Sequence, residues 1–132
     1  MHETKLKVRY AETDRMGVVY YANYYVWFEV ARTEHLESLG ISYRDIEEDD
    51  CLRLVVAESR CSYKSPVTYN DQITIESRIS EVNNSSLWFD YIIRCGERLV
   101  AEGRTAHVFT NNIGRPVKIP EKIRSVIKPL NI

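Results

Sequence analysis

The spacing of apolar residues predicts one long helix in the first third of the chain. Between about Tyr21 and Leu39, mostly apolar side chains recur at intervals of three or four residues, which places them on one helical face. These side chains are Tyr24, Trp27, Phe28, Ala31, His35 and Leu39. Gly40 follows at once, and glycine is common just after a helix end. The wide apolar face indicates a helix that lies in the core.

Alternating polar and apolar residues predict strands on both sides of this helix. A short strand is predicted from Lys5 to Tyr10, and alternation dominates the chain after residue 52. Four long strands are predicted there, with turns at Asn83-Asn84-Ser85 and Gly96-Glu97. Because such short turns join antiparallel neighbours, we predict an α+β fold in which about five antiparallel strands wrap one long central helix.

Length and composition favour a single domain over residues 1–132. Of the 132 residues, 44% are hydrophobic and 11% are aromatic, so the chain has enough apolar surface to fold without a metal or a disulfide. No repeat or linker divides the sequence. A single helix covers only one face of the sheet, so a second copy is expected to complete the arrangement in a homo-oligomer.

Charge and patterning argue against several classes of protein. Eighteen Lys and Arg residues against nineteen Asp and Glu residues give a net charge of −1, whereas nucleic-acid binding usually needs a clearly basic domain. The longest uncharged run, Met16 to Phe28, has 13 residues, and a membrane-spanning helix needs ~20. We therefore predict no nucleic-acid partner and no membrane insertion.

The first residues and the cysteines favour a cytoplasmic protein. No apolar stretch follows Met1 to Lys7, as a signal peptide would require. Cys51, Cys61 and Cys95 are odd in number and have no CxxC spacing, which is typical of reduced thiols. No pair of histidines has zinc-ligand spacing, so we predict neither a metal nor a cofactor.

The candidate chemistry lies between the first strand and the long helix, where Asp14 and Gly17 stand. Glycine there indicates a turn with positive φ or a close backbone approach. A carboxylate just before a helix start lies near N–H groups that lack intrahelical partners, and these groups can stabilise an oxyanion. Such parts suffice for acyl transfer, although spacing alone favours the simpler interpretation in which Asp14 only caps a turn.

This segment resembles the hotdog-fold thioesterases of the 4-hydroxybenzoyl-CoA thioesterase family, including the acyl-CoA thioesterases associated with the Tol–Pal system. The resemblance rests on residues 10–29, especially Thr13 to Tyr24 (TDRMGVVYYANY), and continues to Glu34. It returns at residues 63–67 (YKSPV) and at Asp71. It implies a hotdog fold and hydrolysis of acyl-CoA to a free carboxylic acid and CoA.

Two residues match catalytic positions of that family. Asp14 matches the catalytic aspartate, so the resemblance implies that it acts either as a nucleophile or as a general base on water. Tyr21 matches the residue at the start of the central helix whose backbone N–H polarises the thioester carbonyl. Some members, the Tol–Pal-associated ones among them, carry histidine at that place. If Tyr21 acts through its backbone, the difference costs little.

Five further residues are candidate substrate contacts: Gly17, Asn23, Glu29, Lys64 and Ser65. Lys64 would pair with the phosphates of coenzyme A, and Ser65 would be a polar neighbour of the thioester. Glu29 would orient water or hold the active-site loop, and Asn23 would be a helix cap or an active-site amide. For each of them, an ordinary structural or solvated position is the alternative interpretation.

Two other functions stay open on the same fold. An acyl-thioester dehydratase or hydratase usually needs an Asp–His or Glu–His pair, and the segment near Asp14 contains no histidine. A non-catalytic module that only binds acyl thioesters would need no such pair. The presence of Asp14 and Gly17 before a predicted helix start favours the thioesterase over both.

Overall fold

The computed structural model describes residues 1–48 and 51–127, and one five-stranded sheet dominates it. The strands are β1 (His2–Lys7), β2 (Arg53–Tyr63), β3 (Gln72–Val82), β4 (Ser86–Cys95) and β5 (Arg98–Thr110). Their order across the sheet is β1-β3-β4-β5-β2, and all neighbouring strands are antiparallel. Strands β1 and β2 therefore form the two edges of the sheet.

Three helices accompany the sheet in the described part of the chain. The long helix α1 (Asn23–Ser38) follows β1, α2 (Tyr43–Glu48) precedes β2, and α3 (Glu121–Arg124) follows β5. Gly40 has φ of +83° and ends α1 in the left-handed conformation, as its place in the sequence predicted. None of the helices described here is long and apolar enough to cross a membrane.

The core lies between α1 and the inner face of the sheet. In β4 the alternation is complete, because every second residue from Leu87 to Ile93 is buried. Phe28 of α1 is fully buried and stacks on Tyr91 of β4, with 4.3 Å between ring centroids. Phe28 also lies directly against Gly103 of β5, where any Cβ would overlap its ring. A glycine at this position is therefore what lets the helix approach the sheet so closely.

The predicted α+β architecture, with five antiparallel strands and one central helix, is confirmed. Three boundaries were wrong. The first strand begins at His2 rather than Lys5, because residues from His2 onward pair with β3. It ends at Lys7 rather than Tyr10 because the chain turns at residues 9–12, where a 3₁₀ turn forms. The helix begins at Asn23 rather than Tyr21 because Tyr21 and Ala22 form a turn that precedes it.

Candidate active site

A cleft of about 370 Å³ opens beside the N-terminal end of α1. Its walls come from the loop between β1 and α1, from the first turn of α1, and from the residues at the end of β2. The cleft is lined by Asp14, Met16, Val18, Val19, Tyr21, Tyr24, Tyr63, Lys64, Ser65 and Pro66. Four of the seven predicted site residues therefore share one cleft: Asp14, Tyr21, Lys64 and Ser65.

Asp14 stands at the head of a tight turn. Its N–H donates to the carbonyl oxygen of Val18 at 2.8 Å, and Gly17 donates back to the carbonyl oxygen of Asp14 at 3.0 Å. Gly17 has φ of +81°, a conformation that a residue with a side chain rarely adopts. The carboxylate oxygen Oδ1 of Asp14 accepts the N–H of Met16 at 2.8 Å. Asp14 therefore does cap its turn.

The other oxygen of the same carboxylate is available for chemistry. Oδ2 of Asp14 has no hydrogen-bond partner among the described residues, and the side chain is only partly buried in the cleft wall. The turn fixes Oδ1 through a hydrogen bond and leaves Oδ2 accessible. Capping and catalysis, which the spacing alone presents as alternatives, are thus compatible in one side chain.

The turn that leads into α1, which lines the same cleft through Tyr21, supplies free backbone donors. The N–H groups of residues 23–25 donate to carbonyls three positions earlier, at 3.0–3.3 Å. Within the described ranges, the N–H groups of Tyr21 and Ala22 have no acceptor, as expected for the start of a helix. Tyr21 lies one residue before the N-cap, Ala22, and lines the cleft. Its N–H is therefore free to bind an oxyanion.

Glu12 ties the Asp14 loop to the helix, and no sequence pattern pointed to it. Its side chain is buried, and its two oxygens accept the N–H of Arg9 and the indole Nε1–H of Trp27, both at 2.8 Å. A buried carboxylate is stable only when it is hydrogen-bonded in this way. Because Glu12 stands two residues before Asp14, these bonds hold the Asp14 loop against α1.

The other three predicted contacts, Gly17, Asn23 and Glu29, do not line the cleft. The side-chain amide of Asn23 donates to the carbonyl oxygen of Glu12 at 2.9 Å, and no side chain caps α1. The prediction of Asn23 as a helix cap is therefore wrong, and the residue instead joins loop and helix. Glu29 is exposed on α1, and Gly17 contributes the conformation of the Asp14 turn.

The wall that carries Lys64 is anchored to the start of β5. The N–H groups of Lys64 and Ser65 donate to the carbonyl oxygen of Val100 at 2.8 and 3.2 Å. Arg98, which no motif singled out, donates through Nη1 to the Ser65 hydroxyl at 3.0 Å and to the carbonyl oxygen of Pro66 at 2.6 Å. Lys64 itself is exposed and makes no ion pair with the described residues.

Two tyrosine hydroxyls in the cleft, those of Tyr24 and Tyr63, are held neutral. Burial raises the pKa of Tyr24 and of Tyr63 above the ordinary tyrosine value, and the neighbouring Cys61 acts in the same direction. No lining residue is a histidine or a cysteine. In the described part of the chain, no cluster of His, Cys, Asp and Glu could hold a metal ion.

One accessible carboxylate, free N–H donors at a helix start and an apolar cleft are the parts of a site for acyl transfer. The sheet wrapped around a single helix, which positions these parts, is the hotdog architecture. Residues 8–127 match the model of the Thioesterase-like superfamily, and the chain belongs to this superfamily. The predicted family and the predicted class, a thioester hydrolase, are thereby confirmed.

Relatives and solved structures cover nearly the whole chain. The acyl-CoA thioesterase YbgC of Haemophilus influenzae is 28% identical over 95% of this chain and 93% of its own length. The acyl-acyl carrier protein thioesterase ATL3 of Arabidopsis thaliana is 33% identical over 94% of this chain and 66% of its own length. A crystal structure of a hypothetical protein from Aquifex aeolicus has a TM-score of 0.92 at 32% identity, and covers 97% of this chain and 100% of that one.

Proposed function

We propose that this protein hydrolyses acyl-CoA thioesters to a free carboxylic acid and CoA. One observation carries the proposal: Asp14, with one carboxylate oxygen unoccupied, lies in the same cleft as Tyr21, whose backbone N–H has no acceptor among the described residues. Family membership supports the reaction class, and a relative named as an acyl-CoA thioesterase supports CoA as the leaving group.

The proposed reaction begins with the thioester carbonyl oxygen bound at the N–H of Tyr21. That donor, at the positive end of the α1 dipole, stabilises the negative charge that develops on the oxygen. Sulfur donates little resonance to the carbonyl and leaves readily as a thiolate, so one carboxylate suffices for the rest. The tyrosine side chain at this position is not needed for a backbone donor.

Asp14 has two possible roles in this reaction. As a nucleophile, Oδ2 attacks the carbonyl carbon and expels the CoA thiolate, which leaves a mixed anhydride that water then hydrolyses. As a general base, Asp14 takes a proton from a water molecule that attacks the carbonyl directly, and the proton passes on to the thiolate. Both routes consume one water molecule and give the same products.

The cleft offers separate surroundings for the two parts of the substrate. Val18, Val19 and Tyr24 provide an apolar wall for the acyl group. Lys64 is exposed at the cleft and free of ion pairs with described residues, so its ammonium group is available for a phosphate of CoA. Ser65 already donates to a β5 carbonyl at 2.7 Å, so its hydroxyl serves mainly to hold the wall.

We propose that the working form is a homodimer or homotetramer of this chain in the cytoplasm. Strand β2 is an edge strand of 11 residues, and Val55 and Val56 on it are 44% and 48% exposed. Long exposed edges with apolar side chains are normally covered. The three cysteines are free thiols, as expected in a reducing compartment. Sedimentation at micromolar concentration tests the assembly, and a well-folded monomer would contradict it.

The decisive experiment is a hydrolysis panel with the full chain. Acetyl-, hexanoyl-, palmitoyl- and benzoyl-CoA are incubated with the protein, and free thiol is measured with a thiol-reactive dye. We expect at least one substrate to release CoA with multiple turnovers. Crotonyl-CoA is included because a hydratase would consume its double bond without releasing thiol. Hydration without hydrolysis, or tight binding of every acyl-CoA without turnover, would contradict the proposal.

A further inference from the structure

Tyr63, the last residue of β2, joins the sheet to the first turn of α1 across the cleft. Its hydroxyl donates a hydrogen bond to the carbonyl oxygen of Tyr21 at 3.2 Å. Its ring meets the ring of Tyr24 edge-on, with 4.9 Å between centroids, and the ring of Tyr21 edge-on at 6.5 Å. Tyr63 and Tyr21, which are 42 residues apart in the chain, therefore meet in the cleft.

The acceptor of this bond belongs to the turn that carries the free N–H groups. The carbonyl oxygen of Tyr21 also accepts the N–H of Tyr24, but at 3.3 Å, which is long for a backbone hydrogen bond. The hydrogen bond from the Tyr63 hydroxyl, at 3.2 Å, is also long, so two weak donors together hold this carbonyl. This carbonyl shares its peptide group with the N–H of Ala22, and a hydrogen bond at the oxygen of a peptide strengthens the N–H of the same peptide as a donor.

We propose that Tyr63 is a positioning residue for the oxyanion-binding turn. Its hydroxyl holds the Tyr21–Ala22 peptide in one orientation, so that the free N–H groups of the turn keep their place while the substrate carbonyl becomes tetrahedral. Tyr63 acts through Tyr21 and needs no contact with the reacting atoms. The inference rests on the proposed thioester hydrolysis, since the turn has an oxyanion to bind only in that reaction.

The surroundings of Tyr63 fit a permanent donor. Burial, supported by the nearby Cys61, raises the pKa of Tyr63 above its ordinary value, so its hydroxyl stays protonated through the neutral and mildly alkaline range. Tyr24, against which its ring packs, is only 3% exposed. The ring of Tyr63 therefore rests on a side chain fixed in the core, and the hydroxyl is presented to the Tyr21 carbonyl at a defined position.

The test is the Tyr63→Phe variant of the full chain, which keeps the ring contacts and removes only the hydroxyl. The matched control is Tyr69→Phe, which removes the hydroxyl of another exposed tyrosine whose ring packs against Tyr10, outside the cleft. For both variants, kcat and KM are measured on the fastest CoA thioester of the four-substrate panel. Amide NMR signals of Tyr21 and Ala22 and the melting temperature are recorded alongside.

We expect Tyr63→Phe to lower kcat roughly three- to tenfold, the usual scale of one neutral hydrogen bond. KM and the melting temperature should change little, and the amide signals of Tyr21 and Ala22 should shift. Tyr69→Phe should resemble the wild type in all four measurements. A lower kcat with an unchanged KM is the informative result, because a purely structural role would not produce that combination.

Four outcomes would overturn the inference. Wild-type kcat in Tyr63→Phe shows that the hydroxyl does not matter for turnover, and an equal loss in Tyr69→Phe shows that the effect is not specific. A rise in KM with a lower melting temperature and unshifted amides indicates a general packing defect. If the wild type itself hydrolyses none of the four CoA thioesters, the proposed function fails and the positioning role fails with it.

Discussion

The cleft and the space between α1 and the sheet both hold polar side chains, but in different surroundings. In the cleft, Asp14 is only partly buried and one of its oxygens is unoccupied. Between helix and sheet, His35 and His107 are buried, and each has a ring nitrogen bonded to a hydroxyl. Nδ1 of His35 lies 3.0 Å from Oγ of Ser77, and Nε2 of His107 lies 2.7 Å from Oγ1 of Thr105.

The two buried histidines are kept uncharged by their surroundings. Burial lowers the pKa of His35 to about 4, helped by the N-terminal amino group and His2. Burial lowers the pKa of His107 to about 3, helped by Arg32. Both rings are therefore neutral near pH 7 and lie within the core. The difference teaches that the hydrogen-bonding capacity of these histidines is used within the core, whereas the cleft holds an accessible carboxylate and a free backbone N–H.

The largest expected effect tests the cleft side of this comparison. Asp14→Asn keeps the size of the side chain and its bond to Met16, but removes the anionic oxygen. Turnover on the best acyl-CoA should fall at least ~10²-fold, the lower end of a general-base contribution. KM and the melting temperature should change far less, because the lost interaction belongs to the transition state. Thiol release measures the turnover.

Asp71→Asn is the matched control for this variant. Oδ2 of Asp71 also accepts a backbone N–H across a turn, that of Thr68 at 2.9 Å, but Asp71 lies outside the cleft wall. It should lose some stability and keep its turnover. If the two variants lose turnover equally, or if Asp14→Asn stays near the wild-type rate, Asp14 is only a turn cap.

The next largest effect concerns Glu12, the buried carboxylate that joins the Asp14 loop to α1. In Glu12→Gln, the amide group must face one of two N–H donors, that of Arg9 or that of Trp27, so one buried donor loses its acceptor. We expect the free energy of unfolding to fall by about 1–3 kcal/mol, the range for an unsatisfied buried donor. Turnover should fall as well, because the Asp14 loop loses an anchor.

Urea unfolding and thiol release measure the two effects of Glu12→Gln. Glu37→Gln, on the exposed side of α1, is the control and should stay within about 0.5 kcal/mol of the wild type, as is usual for surface substitutions. A Glu12→Gln variant as stable and as active as this control would show that Glu12 does not position the loop.

The contrast between local and distant interactions explains which features could be predicted. The long helix follows from the spacing of its apolar residues, and the turns at residues 83–85 and 96–97 follow from asparagine and glycine. These are local properties. Asp14 was a candidate from its place before the helix, although spacing alone favours a turn cap there. Tyr21 emerged only through resemblance to a family. Both nevertheless lie in one cleft with Lys64 and Ser65.

The residues that support the cleft could not be predicted, because their contacts are distant in sequence. Glu12 bonds a side chain 15 positions away, Arg98 bonds Ser65 at a separation of 33, and Tyr63 bonds Tyr21 at a separation of 42. No periodicity marks such pairs. The helix start was misplaced for a similar reason, since apolar spacing alone does not distinguish the turn at Tyr21 and Ala22 from the helix that follows it.

The third prediction tests the buried side of the comparison through pH. Unfolded histidine binds a proton as the pH falls through about 6.5, whereas folded His107 and His35 do so only near pH 3 and pH 4. Their contribution to stability is therefore complete above pH 6.5 and is lost as the pH falls towards these values. In that window, each histidine should lower the free energy of unfolding by about 1.4 kcal/mol for every unit by which the pH falls.

Urea unfolding of the wild type and of His107→Gln between pH 6.5 and 4.5 checks this slope. The variant should be less stable at pH 6.5 but should lose stability more slowly on acidification, by the share of one histidine. Because the two proteins differ only at residue 107, the difference between the slopes isolates His107. Parallel slopes would contradict the prediction, because they would mean that His107 binds its proton at the same pH in the folded and the unfolded protein.

The smallest expected effect concerns Lys64, the exposed charge of the cleft. Because exposed ion pairs are weak, Lys64→Ala should raise KM for an acyl-CoA only about two- to fivefold. The effect should shrink as salt is added, since screening acts over about 8–10 Å at 0.10–0.15 M ionic strength. The matching N-acetylcysteamine thioester, which lacks the nucleotide and its phosphates, should keep its KM.

The control variant is Lys7→Ala, because Lys7 is an exposed lysine on β1 outside the cleft. It controls for the loss of one surface charge. An equal rise in KM for both thioesters would remove Lys64 from the CoA site, because an interaction with phosphate cannot act on a substrate that has none.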